Sequence, residues 1–201
     1  MVSPRYYSHV KGSGPIAIQI WLDYICPFSK RQFIKLYDEI IDAVESKYPG
    51  QFRWVFEHQV QPWHAQGVWL HETAIAVGLL SPDKFWEFSR ILFDNSESFY
   101  DHLTKNKSRT DVTTALAELA ESVGVKKLSV LEATEISGKS GETRVTPDIK
   151  YYVKLGRQTG VHVSPSVLIN GLFANEISSS WETSQWLEYL AQFTKFFGTK
   201  I

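Results

Sequence analysis

The sequence predicts an α/β fold: a β-α-β unit near the start and a β-β-α unit near the end share one mixed sheet, with an all-helical block inserted between them. Three observations predict it. Runs rich in β-branched and aromatic residues lie near the two ends, the stretch from Trp63 to Gly160 carries apolar residues at helical spacing, and Asn170-Gly171 sits between two apolar runs as a hairpin turn.

The first strand is Ile16 to Trp21, a β-branched run behind the loop Gly12-Ser13-Gly14-Pro15. Proline is favoured at the first position of a helix, where its missing N–H would be unpaired anyway, so Pro27 opens a helix and Cys26 falls at its N-cap. Phe33, Ile34, Leu36, Tyr37, Ile40, Ile41 and Val44 follow at helical spacing, and Pro49-Gly50 closes the helix. Phe52, Trp54 and Phe56 alternate with Arg53, Val55 and Glu57 as a second strand. A right-handed crossover between parallel strands brings the strand ends and Cys26 to one edge of the sheet.

Helices are expected at His64 to Leu80; after Ser81-Pro82-Asp83, with Phe85, Phe88 and Leu92 on one face; after a Thr110 cap, with Val112, Ala115, Leu116, Leu119 and Val123, ending at Gly124; at Leu128 to Ile136; and from Pro147, with Ile149, Tyr152 and Val153. Strands return at Ser166 to Ile169 and Leu172 to Ala174. Ser179-Ser180-Trp181-Glu182 offers a capping box for a last helix carrying Trp186, Leu187, Leu190, Phe193 and Phe197. One domain spanning 1–201 follows, with its α/β core at 14–62 and 161–201 and its helical insertion at 63–160.

Hydrophobic residues make up 43% of the chain, enough for a sizeable core, and the formal net charge of −1 leaves no basic stripe for nucleic acid or an anionic membrane surface. Met1 to His9 has no apolar leader, and no run of about 18 apolar residues follows. The expectation is a soluble, cytoplasmic protein with no nucleic-acid or membrane partner. A single cysteine excludes an internal disulfide, so a disulfide at Cys26 must join another molecule.

A lone cysteine is commonly an inert, buried small hydrophobe. At a helix start, unpaired N–H groups and the positive end of the helix dipole favour a thiolate, which makes Cys26 a candidate nucleophile. The segment Asp23-Tyr24-Ile25-Cys26-Pro27-Phe28-Ser29 resembles the active-site segment of the DsbA-like branch of the thioredoxin superfamily. The segment Val163-Ser164-Pro165-Ser166-Val167-Leu168-Ile169-Asn170-Gly171 resembles that family's cis-proline loop, strand and turn. Similarity extends through Phe52 to His58 and Pro62 to Phe93 and is weakest over Lys105 to Thr143.

The resemblance implies a thioredoxin fold with a helical insertion, a cis Ser164-Pro165 bond and a substrate-facing loop beside the sulfur; a plain trans proline at a strand start is the alternative. The family's second cysteine is replaced by Ser29, giving a monothiol Cys-Pro-Phe-Ser variant without an internal resolving thiol. The reading is therefore a thiol-disulfide oxidoreductase of monothiol type, with Cys26 and Ser29 as catalytic candidates. Ser29 is either a hydrogen-bond partner of the Cys26 thiolate or a solvated first-turn hydroxyl. Pro27, Phe28, Ser164, Pro165, Tyr24, Trp63 and His64 are the substrate-facing candidates, with Tyr24 edging the site and the Gln59 to His64 loop bordering a groove or simply turning. No tightly bound cofactor is implied. Glutathione is the expected co-substrate, and the partners are small thiols, small molecules or peptide thiols. The alternatives are a glutathione-dependent transferase or isomerase, resembling the kappa class and acting on a small hydrophobic compound, and a non-catalytic binding module. His58, His64 and His71 match no familiar metal-ligand spacing, so they are read as packing or substrate contacts.

Overall fold

Strands β2 (Ile16–Leu22) and β3 (Phe52–His58) form the parallel centre of a five-stranded sheet in the computed structural model, which describes residues 4–194. Their register runs from Ile16 opposite Phe52 to Leu22 opposite His58. β4 (Ser166–Ile169) lies antiparallel to β2, and β5 (Leu172–Phe173) antiparallel to β4, joined by Asn170-Gly171 with φ of 50° and 85°. Both turn residues thus have the positive φ that a tight hairpin requires. A two-residue edge strand, β1 (Val10–Lys11), pairs antiparallel with β3 and completes the order β1-β3-β2-β4-β5. Gly14 makes the approach to β3 possible, because a Cβ there would stand 2.2 Å from the Gln51 backbone.

Both faces of the sheet are covered. Ile18, Ile20, Leu22, Trp54 and Phe56 meet Phe33, Leu36, Trp186 and Leu190 in the main core, while Trp21 and Leu168 pack with Val161 and Leu155 on the other side. The alternation in β3 therefore does not separate a wet face from a dry one: Val55 and Glu57 are buried as well. Glu57, whose Oε1 accepts from Gln19 Nε2 at 3.4 Å, has its carboxyl pushed up to about 7 by burial.

The expected helix after Cys26 forms as α1 (Pro27–Lys35), a π-helical turn (Leu36–Ile40) and α2 (Ile41–Lys47). The widened turn lets both Ile40 and Ile41 reach the core. Between β3 and β4 come α3 (Gly67–Leu80), α4 (Phe85–Asp94), α5 (Asp101–Thr104), α6 (Arg109–Ser122), α7 (Lys127–Thr134) and α8 (Thr146–Thr159). α3 is buried on every side from Leu70 to Gly78 and packs against α4, α6, α7 and α8, so it is the axis of the insertion. α9 (Thr183–Thr194) returns to α2; Phe197, expected on this helix, lies outside the described residues.

Three local expectations need correction. Ser108, not Thr110, caps α6, because Asp111 three residues on completes a reciprocal capping box. α9 begins after Glu182, whose N–H donates to Gln185 Oε1, so the box proposed at Ser179 to Glu182 belongs one turn later. His64 to Gln66 form turns before α3 rather than its first residues. Among the described residues no helix is long and apolar enough to cross a membrane.

Candidate active site

Cys26 occupies the N-cap of α1 with extended backbone (φ −73°, ψ 120°), and Pro27 follows at the first helical position. Its N–H donates to the Asp23 carbonyl at 3.1 Å and its carbonyl accepts from Lys30 N–H at 3.0 Å, which locks the turn from strand to helix. Cys26 is 8% exposed, and its sulfur reaches across the chain: Sγ–H donates to the Ser164 carbonyl at 3.4 Å. The Ser164-Pro165 bond is cis. The two segments singled out in the sequence therefore meet, and the thiol faces the backbone of the proline loop.

Asp23 organises the surroundings. Its carboxylate accepts the Ile25 N–H at 2.8 Å and the Gln61 N–H at 2.8 Å, and Gln61 Nε2 in turn donates to Ser164 Oγ at 3.4 Å. Ser29 is fully buried, and its hydroxyl accepts the Asp23 N–H at 3.3 Å. Ser29 is thus no solvated hydroxyl, and its bond goes to the Asp23 backbone rather than to the thiol; it fastens the end of β2 to the first turn of α1.

Pro27 and Phe28, which follow Cys26 in the chain, and Trp63 are exposed, Phe28 by 56% and Trp63 by 65%, and Val163 next to Ser164 is exposed too. The Arg31 guanidinium lies 5.5 Å from the centre of the Phe28 ring. His64 stands at the edge, with Nδ1 3.3 Å from Asp23 Oδ2 and its ring 6.1 Å from Trp63. Tyr24 is the misplaced candidate. It points into the core, fully buried against Phe56 and Phe93, with its hydroxyl 2.8 Å from Ser89 Oγ; burial holds its phenol well above the ordinary range. Tyr24 lies inside the turn closed by the Cys26 N–H bond to the Asp23 carbonyl, so its side chain leaves in a different direction from the sulfur.

A cavity of about 440 Å³ opens beside the loop, lined by Gln59, Gln61, Trp63, Arg157 and His162 among others. A groove of similar size runs along α1 past Pro27, Lys30, Ile34 and Tyr100. His58 and His71 are fully enclosed, so they pack rather than contact substrate. Among the described residues no group of three or more His, Cys, Asp or Glu is arranged to hold a metal ion.

Sequence reasoning missed three contributors: Asp23, quoted in the motif without a role; Gln61, part of a loop weighed only as a whole; and His9, which bonds to His58 at 2.9 Å. For Asp23 a signal existed, since an acidic residue directly after an apolar strand and before a helix start has backbone N–H groups within reach.

No family model matches the chain, and no curated protein matches it. Solved structures do. A protein of Pseudomonas syringae, assigned provisionally as a protein-disulfide isomerase, superposes with a TM-score of 0.76 at 21% identity over 92% of this chain and 99% of its own. Oxidised BdbD from Bacillus subtilis gives 0.70 at 19% identity, over 93% and 92%. DsbA from Chlamydia trachomatis gives 0.65 at 14% identity, over 99% and 95%. These likenesses show the fold, a DsbA-like thioredoxin fold with a helical insertion.

Proposed function

We propose that this protein is a thiol-disulfide oxidoreductase of monothiol type with Cys26 as its nucleophile. The observation that carries the reading is the meeting of a helix-start thiol with the Ser164 carbonyl of the cis-proline loop at 3.4 Å. In the first step the Cys26 thiolate attacks one sulfur of a substrate disulfide, forms a mixed disulfide with it and expels the other sulfur as a thiolate. In the second, the thiolate of an external thiol such as glutathione attacks the substrate-side sulfur, closes a new disulfide and releases Cys26. Ser29 supplies no thiol for an internal second step, and the helix dipole favours each departing Cys26 thiolate. The reaction belongs in the cytoplasm, where glutathione provides the second thiol.

A second reading, a glutathione-dependent transferase or isomerase, draws on the cavity of about 440 Å³ beside Trp63 and Arg157. Incubation with oxidised glutathione separates the two. One glutathione added to Cys26 and removed by reductant supports the oxidoreductase, and Ser29→Cys is expected to shorten the adduct's lifetime and to create dithiol oxidation or insulin reduction. Conjugation or isomerisation of aromatic substrates that survives Cys26→Ser would replace the oxidoreductase reading. Peptide binding with neither adduct nor turnover would leave a binding module.

A further inference from the structure

The fully buried Asp23 side chain ties together segments distant in sequence. Oδ1 holds the Ile25 N–H, fixing the turn that carries Cys26; Oδ2 holds the Gln61 N–H, fixing the loop that reaches Ser164. The gap between Sγ and the Ser164 carbonyl is thus set from both sides by one carboxylate. Bonds from N–H groups to a carboxylate are roughly twice as strong as neutral ones, which suits this bracing role.

Behind Asp23 three imidazoles stand in file. His71 Nε2 is 4.0 Å from Asp23 Oδ1, too far for a hydrogen bond, and it has no hydrogen-bond partner among the described residues. His71 Nδ1 is 2.7 Å from His58 Nδ1, His58 Nε2 is 2.9 Å from His9 Nε2, and His9 Nδ1 is 2.9 Å from Ser8 Oγ. Aromatic walls enclose the file: Tyr24 lies against His71, Tyr152 against His58 and Phe85 against His9. Burial keeps all three neutral near pH 7, lowering His9 to about 3, His71 to about 4 and His58 well below its ordinary value.

A neutral imidazole has one N–H, so three bonded in file can be ordered in only two ways. In one order Ser8 donates to His9, His9 to His58 and His58 to His71, leaving the His71 Nε2–H aimed at Asp23. In the other every bond reverses, and a bare nitrogen lone pair faces the carboxylate. The negative charge favours the first order over the second.

We propose that Asp23 is the positioning residue of the Cys26 site, and that His71, His58 and His9 form a tautomeric relay whose direction the Asp23 carboxylate fixes. The positioning half rests on the reading of Cys26 as a reactive thiol. The relay turns four polar side chains from three segments into one oriented dipole, with its positive end toward Asp23. A network serving stability alone would not need a direction.

Imidazole nitrogen–proton correlation spectra of the wild-type protein test the relay: His71 and His9 are expected to carry their protons on Nε2 and His58 on Nδ1. Asp23→Asn tests the positioning. An amide presents N–H groups where one of the two backbone donors needs an acceptor, so exchange of the Ile25 or Gln61 amide proton should accelerate. Glutathione-adduct formation, divided by the iodoacetamide alkylation rate so that the thiolate fraction cancels, should fall about tenfold. Reversed tautomers in the wild type would overturn the relay. A folded Asp23→Asn variant with unchanged amide exchange and unchanged rate ratio would overturn the positioning role. Should Asp23→Asn not fold, the same two readouts on Asp23→Glu, which keeps the charge but displaces both acceptor oxygens, decide the positioning, and the wild-type tautomers decide the relay. Absence of any adduct on the wild type would sink the oxidoreductase reading, while amide exchange and tautomers would still judge this one.

Discussion

On its outward side Asp23 supports a thin arrangement: a sulfur held by one 3.4 Å contact to the Ser164 carbonyl. On its inward side the same residue faces histidines bonded at 2.7 to 2.9 Å and sealed from solvent. On the proposed reading the outer group meets another molecule, and its bonds are few and replaceable. The inner groups meet none, and their satisfaction depends on the fold closing around them. Reactivity and rigidity are thus kept on opposite sides of one carboxylate.

The largest expected effect breaks the outer side alone: Cys26→Ser should abolish labelling by oxidised glutathione completely while leaving the thermal midpoint close to that of the parent, as mass spectrometry and a melting curve would show. Next comes acid, which attacks the inner side. The folded values of His9, His58 and His71 lie below the unfolded value of 6.5, so the folded state binds fewer protons, and the stability they contribute is complete above pH 6.5 and lost as pH falls below it. Each imidazole should remove about 2 kcal/mol between pH 6.5 and 5. Glu57 works the other way, since a carboxyl raised to about 7 stabilises the fold as pH falls toward its unfolded value. Three imidazoles outweigh one carboxyl, so denaturant midpoints at pH 7.5 and 5.0 should show a net loss, smaller in His71→Gln. The smallest effect lies far from either side: Ser108→Ala removes the α6 cap and should cost about 1 kcal/mol, with Cys26 labelling unchanged.

What the sequence made legible follows from range. β2, β3, the Asn170-Gly171 hairpin and the Cys26 helix start are encoded by neighbouring residues, and each formed where its pattern lies. The meeting of Cys26 with Ser164 spans 138 positions, and it was reachable only through resemblance of two whole segments to a known family. β1 is two residues long and has no period to detect. The cap expected at Thr110 lies instead at Ser108, where Asp111 three residues on completes the box. Tyr24 is placed at the site by its nearness to Cys26 and Ser29 by standing where the resembled family has its second cysteine, yet both side chains are buried, at the strand end and in the first helical turn. The imidazole file was illegible for a deeper reason: His9, His58 and His71 come from three elements, and no local pattern marks residues whose only partners are one another.

The sheet ends on β5, where Leu172 and Phe173 are exposed by 77% and 42%. An open, apolar strand edge is a hazard, since it offers unpaired backbone groups to another chain. Here the hazard is limited by shortness. Two residues provide too few ladder bonds to hold a foreign strand in register, and the Asn170-Gly171 turn at one end and the Ala174 N–H bond to Val167 at the other fix the edge to its own neighbour. Lengthening β5 by even two β-branched residues should therefore lower solubility before it alters the fold.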